Sequence, residues 1–255
     1  MTYFQQPWIV LFGGAGREQI IERMVAEGLK IKAIAVPNVK SEKLAKAVEK
    51  LSNFGLPVVE VKRSAIDLCL NSYPECNLFS IGFPYILPKA AVVGRPLALN
   101  IHPTLLPKYR GPTTGPHILM NDEKESGSSV HYLTDKVDAG DIVVQSHVPI
   151  RPFDTIRSMQ RKVYAAEPEL VIEAIKRLDL GEKATPQNEQ QASVFPIVRK
   201  PADSEIDPNK PLLALVNEIR ACDAFEYPAF FIYHGEKVCI RLWRPEKKES
   251  EYDEI

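Results

Sequence analysis

Cysteine is scarce and carries no pattern: the 255 residues hold four, Cys69, Cys76, Cys222 and Cys239, with no CxxC spacing among them. A disulfide framework is therefore excluded as the source of stability, and with no histidine pair at ligand spacing no metal is expected. Cys69 and Cys76 read as small buried hydrophobes. Long apolar runs are missing as well, none approaching the roughly 20 residues that a bilayer span requires. The N-terminus, Met-Thr-Tyr-Phe-Gln-Gln-Pro-Trp, has neither the basic start nor the apolar stretch of a leader. The expectation is a cytoplasmic protein with no membrane partner. An excess of charge of one sign is also lacking. With 32 basic and 33 acidic residues the net charge is −1, so no bulk positive field exists to gather nucleic acid, and small molecules are the expected partners.

What is present is a chain 45% hydrophobic and long enough to bury a substantial core. Trp8 to Phe12 is an apolar run closed by Gly13-Gly14-Ala15-Gly16, after which Ile20, Ile21, Met24 and Val25 recur at helical spacing up to Gly28. A second strand is expected over Ile31 to Val36 and a third over Val58 to Val61. The helix between them is capped by Ser41 and carries Leu44, Ala47, Val48 and Leu51. Leu68 and Leu70 fall in a further helical stretch, and Asn77 to Ile81 and Leu97 to His102 read as strands. Strands alternating with helices predict an α/β fold, a doubly wound Rossmann-like sheet. After a Pro/Gly-rich loop, a short helix over Gly115 to Asn121 and strands over Ser128 to Leu133 and Ile142 to Ile150 make the second half of the sheet antiparallel, so that it is mixed. Asp154 is the expected cap of a long helix with Ile156, Met159, Val163, Ala166, Leu170, Ile172, Ile175 and Leu178 on or near its inward side.

The composition divides the chain into four parts. Residues 1–184 form the main domain, 185–210 a polar, proline-containing linker, 211–245 a small appendage of one helix and one hairpin, and 246–255 a solvated tail. The appendage helix is expected over Pro211 to Ala221, and its strands over Ala229 to Tyr233 and Val238 to Trp243.

Gly14-Ala15-Gly16 stands between a strand and a helix, where dinucleotide folds place a phosphate. The fingerprint is incomplete: Gln19 occupies the third small position, and no acidic residue closes the second strand. A tight turn needing positive φ explains the glycines by themselves, with Arg17 left as a candidate phosphate contact. In Leu97-Ala-Leu-Asn-Ile-His102, alternation puts Asn100 and His102 on one face. They sit at the carboxyl end of a strand, where doubly wound sheets open their ligand crevice. A satisfied structural histidine remains an alternative at this point.

Two ordered segments, Asn100-Ile-His-Pro-Thr-Leu-Leu-Pro-Lys-Tyr-Arg-Gly and Val130-His-Tyr-Leu-Thr-Asp-Lys-Val-Asp-Ala-Gly-Asp-Ile, resemble the signature of the 10-formyltetrahydrofolate-dependent formyltransferases. The resemblance covers roughly Trp8 to Leu180, the first half mainly in its order of elements. It implies 10-formyltetrahydrofolate as the formyl donor and Asn100, His102 and Asp138 as catalytic residues. Their types suit the reaction. An amine attacks the formyl carbon, Asn100 and a protonated His102 stabilise the oxyanion as donors, and Asp138 holds the imidazole or helps remove the amine proton. Locally, Asp138 also reads as a turn residue. The resemblance further implies a pterin pocket formed by the segments around Tyr85, Ile86 and Leu87 and around Thr134, Asp135 and Val137. Core packing is the alternative for the first three. Lys108, Tyr109 and Arg110 are candidate contacts to a phosphate-bearing acceptor, with a basic surface loop as the equal alternative.

Among acceptors, the short appendage resembles nucleotide-sugar N-formyltransferases, which implies a nucleotide-linked amino sugar. Methionyl-tRNA formyltransferase, glycinamide ribonucleotide formyltransferase and formyltetrahydrofolate hydrolase fit the size and arrangement of the chain less well. A non-catalytic nucleotide-binding module using the glycine turn stays open as a different class. Members often dimerise, and the hairpin with Phe230, Phe231, Val238, Ile240 and Trp243 is a candidate homodimer interface or simply packs on its own core.

Overall fold

The computed structural model describes residues 2–39 and 41–247. The expected tail therefore lies mostly outside the described residues. Seven strands form one sheet: β1 (Pro7–Phe12), β2 (Lys30–Pro37), β3 (Val58–Val61), β4 (Asn77–Ile81), β5 (Ala98–His102), β6 (Glu125–Tyr132) and β7 (Ile142–Pro149). Their order is β3-β2-β1-β4-β5-β6-β7. The first five are mutually parallel, and β6 is antiparallel to both of its neighbours, β5 and β7. This is the mixed Rossmann-like sheet that the sequence predicts.

The parallel strands carry mostly apolar residues because helices cover both faces. In β1, Trp8, Val10 and Phe12 point to one side and share a core with Ile20 and Met24 of α1 (Gln19–Ala26). That core also takes Leu170, Val171 and Ile175 from α6 (Ile156–Asp179). Ile9 and Leu11 point the other way, onto Ile66 and Leu70 of α3 (Ile66–Asn71) and Ala91 of α4 (Lys89–Val92). Between β2 and β3, α2 (Glu42–Ser52) starts at Ser41, whose hydroxyl accepts the Leu44 N–H as the sequence predicts. A short α5 (Gly115–Met120) precedes β6.

The cap of α6 differs from the expectation. Thr155 and Ser158 form a reciprocal capping box there. Asp154 instead accepts the Arg151 N–H at 2.6 Å and the Ser158 hydroxyl at 2.9 Å, closing the turn that leads into the helix. Pro168 lies inside α6 and removes the N–H that would have met the Tyr164 carbonyl. Gln19 supplies the replacement, its Nε2 donating to that carbonyl at 2.8 Å, so the break in one helix is mended by the first residue of another.

The C-terminal elements are α7 (Leu212–Ala221), β8 (Ala229–Tyr233) and β9 (Glu236–Ile240). They enclose a small core of their own, with Ile206, Leu215, Ile219, Cys222 and Ala229. The hairpin turns on His234-Gly235, both at positive φ (48° and 83°), which matches the twist of a two-residue connection. The second strand ends at Ile240, so Trp243 lies beyond it, 74% exposed. Among the described residues no helix is long and apolar enough to cross a membrane, and no group of acidic, histidine or cysteine residues is placed to hold a metal.

Candidate active site

β5 ends at the carboxyl edge of the sheet and presents Asn100 and His102 on one face. Its antiparallel register with β6 sets Asn100 opposite His131 and His102 opposite Ser129. His131, which the sequence reading did not single out, is thus brought beside Asn100, with 3.0 Å between Asn100 Nδ2 and His131 Nε2. His131 Nδ1 lies 2.9 Å from the Tyr132 carbonyl, so it carries the hydrogen and Nε2 accepts from Asn100.

Asp138 reaches the same place from the loop between β6 and β7, with φ 51°, a left-handed conformation uncommon outside glycine. Its Oδ2 accepts the Gly111 N–H at 2.8 Å and lies 3.5 Å from His102 Nδ1. Its Oδ1 lies 3.5 Å from Asn100 Nδ2 and 3.6 Å from His131 Nε2. The three residues expected together do converge, with His131 as a fourth member.

The loop after β5 serves this cluster through its backbone. His102 Nε2 meets the Tyr109 carbonyl at 2.7 Å, which places the hydrogen of neutral His102 on Nε2 and leaves the Nδ1 lone pair facing Asp138. Burial draws the His102 imidazole below its ordinary pKa, opposed by the Asp138 carboxylate and the Tyr109 carbonyl. For Asp138, burial works against ionisation, but His102, His131 and the Gly111 N–H outweigh it and hold the carboxyl down at about 2. Near neutral pH the pair is therefore an anionic Asp138 beside a neutral His102 with an open acceptor nitrogen.

The residues expected to meet an acceptor, Arg17, Lys108, Tyr109 and Arg110, are differently employed. Arg17 is buried, and its guanidinium forks onto Glu167 of α6, both bonds at 2.6 Å. It faces inward because Glu167, fully buried, needs a partner; Ser128 of β6 adds a third bond of 2.6 Å. Arg110 is also buried and is held by Gln187 and Glu189. Tyr109 stacks on Phe195 and donates its hydroxyl to Glu123 at 2.8 Å. Of the four, only Lys108 exposes its charge, paired with Glu123 at 3.1 Å.

The residues expected around a pterin lie on two loops that approach each other, where Lys89 Nζ stands 3.7 Å from the Asp135 carboxylate. Ile86 and Val137 are exposed, as are Thr134 and Asp135, while Tyr85 and Leu87 are half-buried. Ile86 and Val137 thus offer apolar surface to a ligand, whereas Leu87 packs on the core beneath β4. A cleft of about 530 Å³ lined by Asp122, Glu123 and His147 lies elsewhere and includes none of the Asn100, His102 and Asp138 cluster.

Comparison with known proteins agrees with this architecture. The chain is 32% identical over 167 residues to the methionyl-tRNA formyltransferase of Lactococcus lactis subsp. cremoris, 65% of this chain and 51% of that protein. It spans about half the length of the first such relatives it matches. A 4-N formyltransferase from Francisella tularensis superposes with a TM-score of 0.77 at 20% identity, covering 94% of this chain and 98% of that one. An N-formyltransferase from Helicobacter canadensis, solved with folinic acid and dTDP-3-aminofucose, superposes with a TM-score of 0.66 at 21% identity over 87% of this chain and 80% of that one. A model of the formyl transferase family matches residues 19–175, and the chain belongs to that family.

Proposed function

We propose that this protein transfers a formyl group from 10-formyltetrahydrofolate to the primary amine of a nucleotide-linked amino sugar. The observation that carries the reading is the meeting of Asn100, His102 and Asp138 at the end of β5, with an anionic carboxylate 3.5 Å from an unprotonated imidazole nitrogen. In the reaction the amine nitrogen bonds to the formyl carbon, the carbon to N10 bond breaks with N10 taking up a proton as tetrahydrofolate departs, and one proton leaves the amine. His102 Nδ1 is the lone pair placed to receive that proton, and Asp138 stabilises the imidazolium that results. Asn100 supplies the oxyanion donor. Its N–H towards Asp138 spans 3.5 Å, at the outer limit of a hydrogen bond, so turning it to an oxyanion sacrifices little. This gives His102 a base's role at the start of the step, where the sequence reading made it a protonated donor; burial is the physical reason.

For the acceptor, the solved structures that superpose on most of this chain include a sugar N-formyltransferase from Shewanella and an N-formyltransferase solved with dTDP-3-aminofucose, which supports an amino-sugar acceptor. The balanced charge supports a small acceptor over a polynucleotide. A second reading, methionyl-tRNA as acceptor, has the sequence relatives in its favour. The catalytic unit is taken as residues 1–184, with 185–210 as a connection and 211–245 as the appendage, and the protein is taken to work in the cytoplasm as a homodimer. For the last, the hairpin offers exposed Ile232, Tyr233 and Val238, with Trp243 just beyond it; light scattering coupled to size exclusion gives the mass directly.

The test is release of tetrahydrofolate from 10-formyltetrahydrofolate with GDP-, dTDP- and UDP-linked amino sugars, glycinamide ribonucleotide, charged initiator tRNA or no acceptor. Turnover with one nucleotide sugar, lost in His102→Gln, is the expected result. Turnover with tRNA alone would replace the acceptor, and turnover without any acceptor would make the protein a hydrolase.

A further inference from the structure

Residues 185–195 fall in the stretch that reads as a linker by composition, yet they are bonded along the loops of the site. Thr185 exchanges two backbone hydrogen bonds of 2.8 Å with Ile142. Arg110 N–H donates to the Ser193 carbonyl at 2.9 Å, and Phe195 N–H donates to the Arg110 carbonyl at 2.8 Å. Between these anchors stands Gln187, whose amide is bonded at both ends. Its Nε2 donates to the Asp138 carbonyl at 2.8 Å and to the Gly140 carbonyl at 2.7 Å. Its Oε1 accepts from Arg110 Nε at 3.1 Å and Nη2 at 2.8 Å.

One neutral side chain thereby joins the two loops that fix Asp138. One is Asp138's own loop; the other is Arg110-Gly111, whose Gly111 N–H holds the carboxylate. A non-glycine residue at φ 51° persists only where its surroundings determine it. Gln187 holds the main chain of Asp138 while Gly111 holds its side chain, and the carboxylate is left with one direction, towards His102.

We propose that Gln187 is a positioning residue for formyl transfer, setting the Asp138 carboxylate against His102 by clamping the two loops that meet there. The proposal rests on the reading of Asp138 and His102 as the reacting pair. It accounts for the bonding of Arg110 as well: the buried guanidinium orients the Gln187 amide so that both N–H bonds point at the Asp138 loop.

The test separates placement from turnover. With isotope-labelled histidine, NMR follows the His102 titration, identified by its loss in His102→Gln. The titratable and charged groups that act on His102 are Asp138, His131 and Arg17, and it is bonded to the Tyr109 carbonyl; substitution at 187 changes none of them chemically. In Gln187→Met the carboxylate is released, and the His102 midpoint should fall by roughly 1 unit as it loses the nearby opposite charge. In the same variant kcat should fall at least about tenfold while KM for 10-formyltetrahydrofolate stays within about twofold. Glu189→Gln weakens the other anchor of Arg110 and should leave the titration as in the wild type. Gln187→Glu keeps a partner for Arg110 but sets an acceptor against two carbonyls, so it should stay folded and lose kcat like Gln187→Met. An unchanged His102 midpoint in Gln187→Met, or the same shift in Glu189→Gln, would overturn the proposal and leave the segment a structural strap. A shifted midpoint in a protein whose wild type transfers no formyl group would sink the formyl-transfer reading while supporting the placement of Asp138.

Discussion

Replacing Glu167 by alanine is expected to be among the most damaging single changes outside the apolar core. Both oxygens of this fully buried carboxylate are engaged, Oε2 by Arg17 Nε, and Oε1 by Arg17 Nη2 and the Ser128 hydroxyl, all at 2.6 Å. Removing it strands the Arg17 guanidinium, 4% exposed, with no carboxylate partner, leaving a long contact of 3.4 Å to the Ile101 carbonyl and the face of the Tyr164 ring 5.2 Å away. Breaking one partner of a buried pair costs about 3 to 5 kcal/mol, because the remaining charge stays desolvated. At about 2 to 4 °C per kcal/mol for a chain of this size, the melting temperature should drop by roughly 6 to 20 °C. The assay is denaturant and thermal unfolding followed by circular dichroism. Arg17→Met combined with Glu167→Met should recover most of the loss, since it removes both desolvated charges at once. A loss below about 1 kcal/mol in Glu167→Ala, or a double variant as unstable as the single, would refute the reasoning.

Substituting His102 by glutamine should lower kcat by about 10² to 10⁴ while leaving the melting curve near that of the wild type, checked by single-turnover kinetics with the acceptor found above. Stability should decline on the acid side in two windows. His102, whose folded pKa lies below 6.5, contributes fully above 6.5 and loses its contribution as pH falls from there. Asp138, lowered from 3.8 to about 2, adds a second decline between those values. Unfolding free energies measured from pH 8 to 3 test the sign, and a stability that rose on acidification through pH 6 would contradict it. Gly140→Ala should destabilise the Asp138 loop by roughly 1 to 3 kcal/mol, since a Cβ there would stand 1.9 Å from the Tyr132 carbonyl oxygen; thermal melts decide. Thr155→Ala should cost about 1 kcal/mol by removing the cap of α6, seen in the same experiment.

Strands β1, β2, β4 and β5 were legible in the sequence as short runs closed by Gly13, Pro37, Gly82 and Pro103, and the doubly wound order follows from the alternation of strands with helices. Asn100 and His102 were legible as a pair because a strand repeats every two residues. Asp138 was not legible by physics alone. Its neighbours read as a turn, and only the resemblance of two separated segments marked it. His131 escaped because its place beside Asn100 is set by the register of β5 on β6, which no local pattern encodes. Arg17 and Arg110 read as candidate phosphate contacts because a long charged side chain gives no local sign of turning inward. The signal lay at the other end: Glu167 sits between Val163 and Leu170 on the apolar side of α6, where a carboxylate demands a buried partner. Gln187 had no signal at all, since composition marks its segment as a connection.

The left-handed backbone at Asp138 narrows what mutation can offer at that position. Asp and Asn tolerate the conformation better than most residues that carry a Cβ, because their short polar side chains bond locally. Glutamate would keep the charge but forgo that tolerance, and alanine would confound lost charge with added backbone strain. Asparagine is therefore the substitution that isolates the chemistry, and it is also an accessible neighbour in sequence space. A lineage losing the reaction could pass through Asp138→Asn with the loop undisturbed, leaving a folded binder of the same ligands behind.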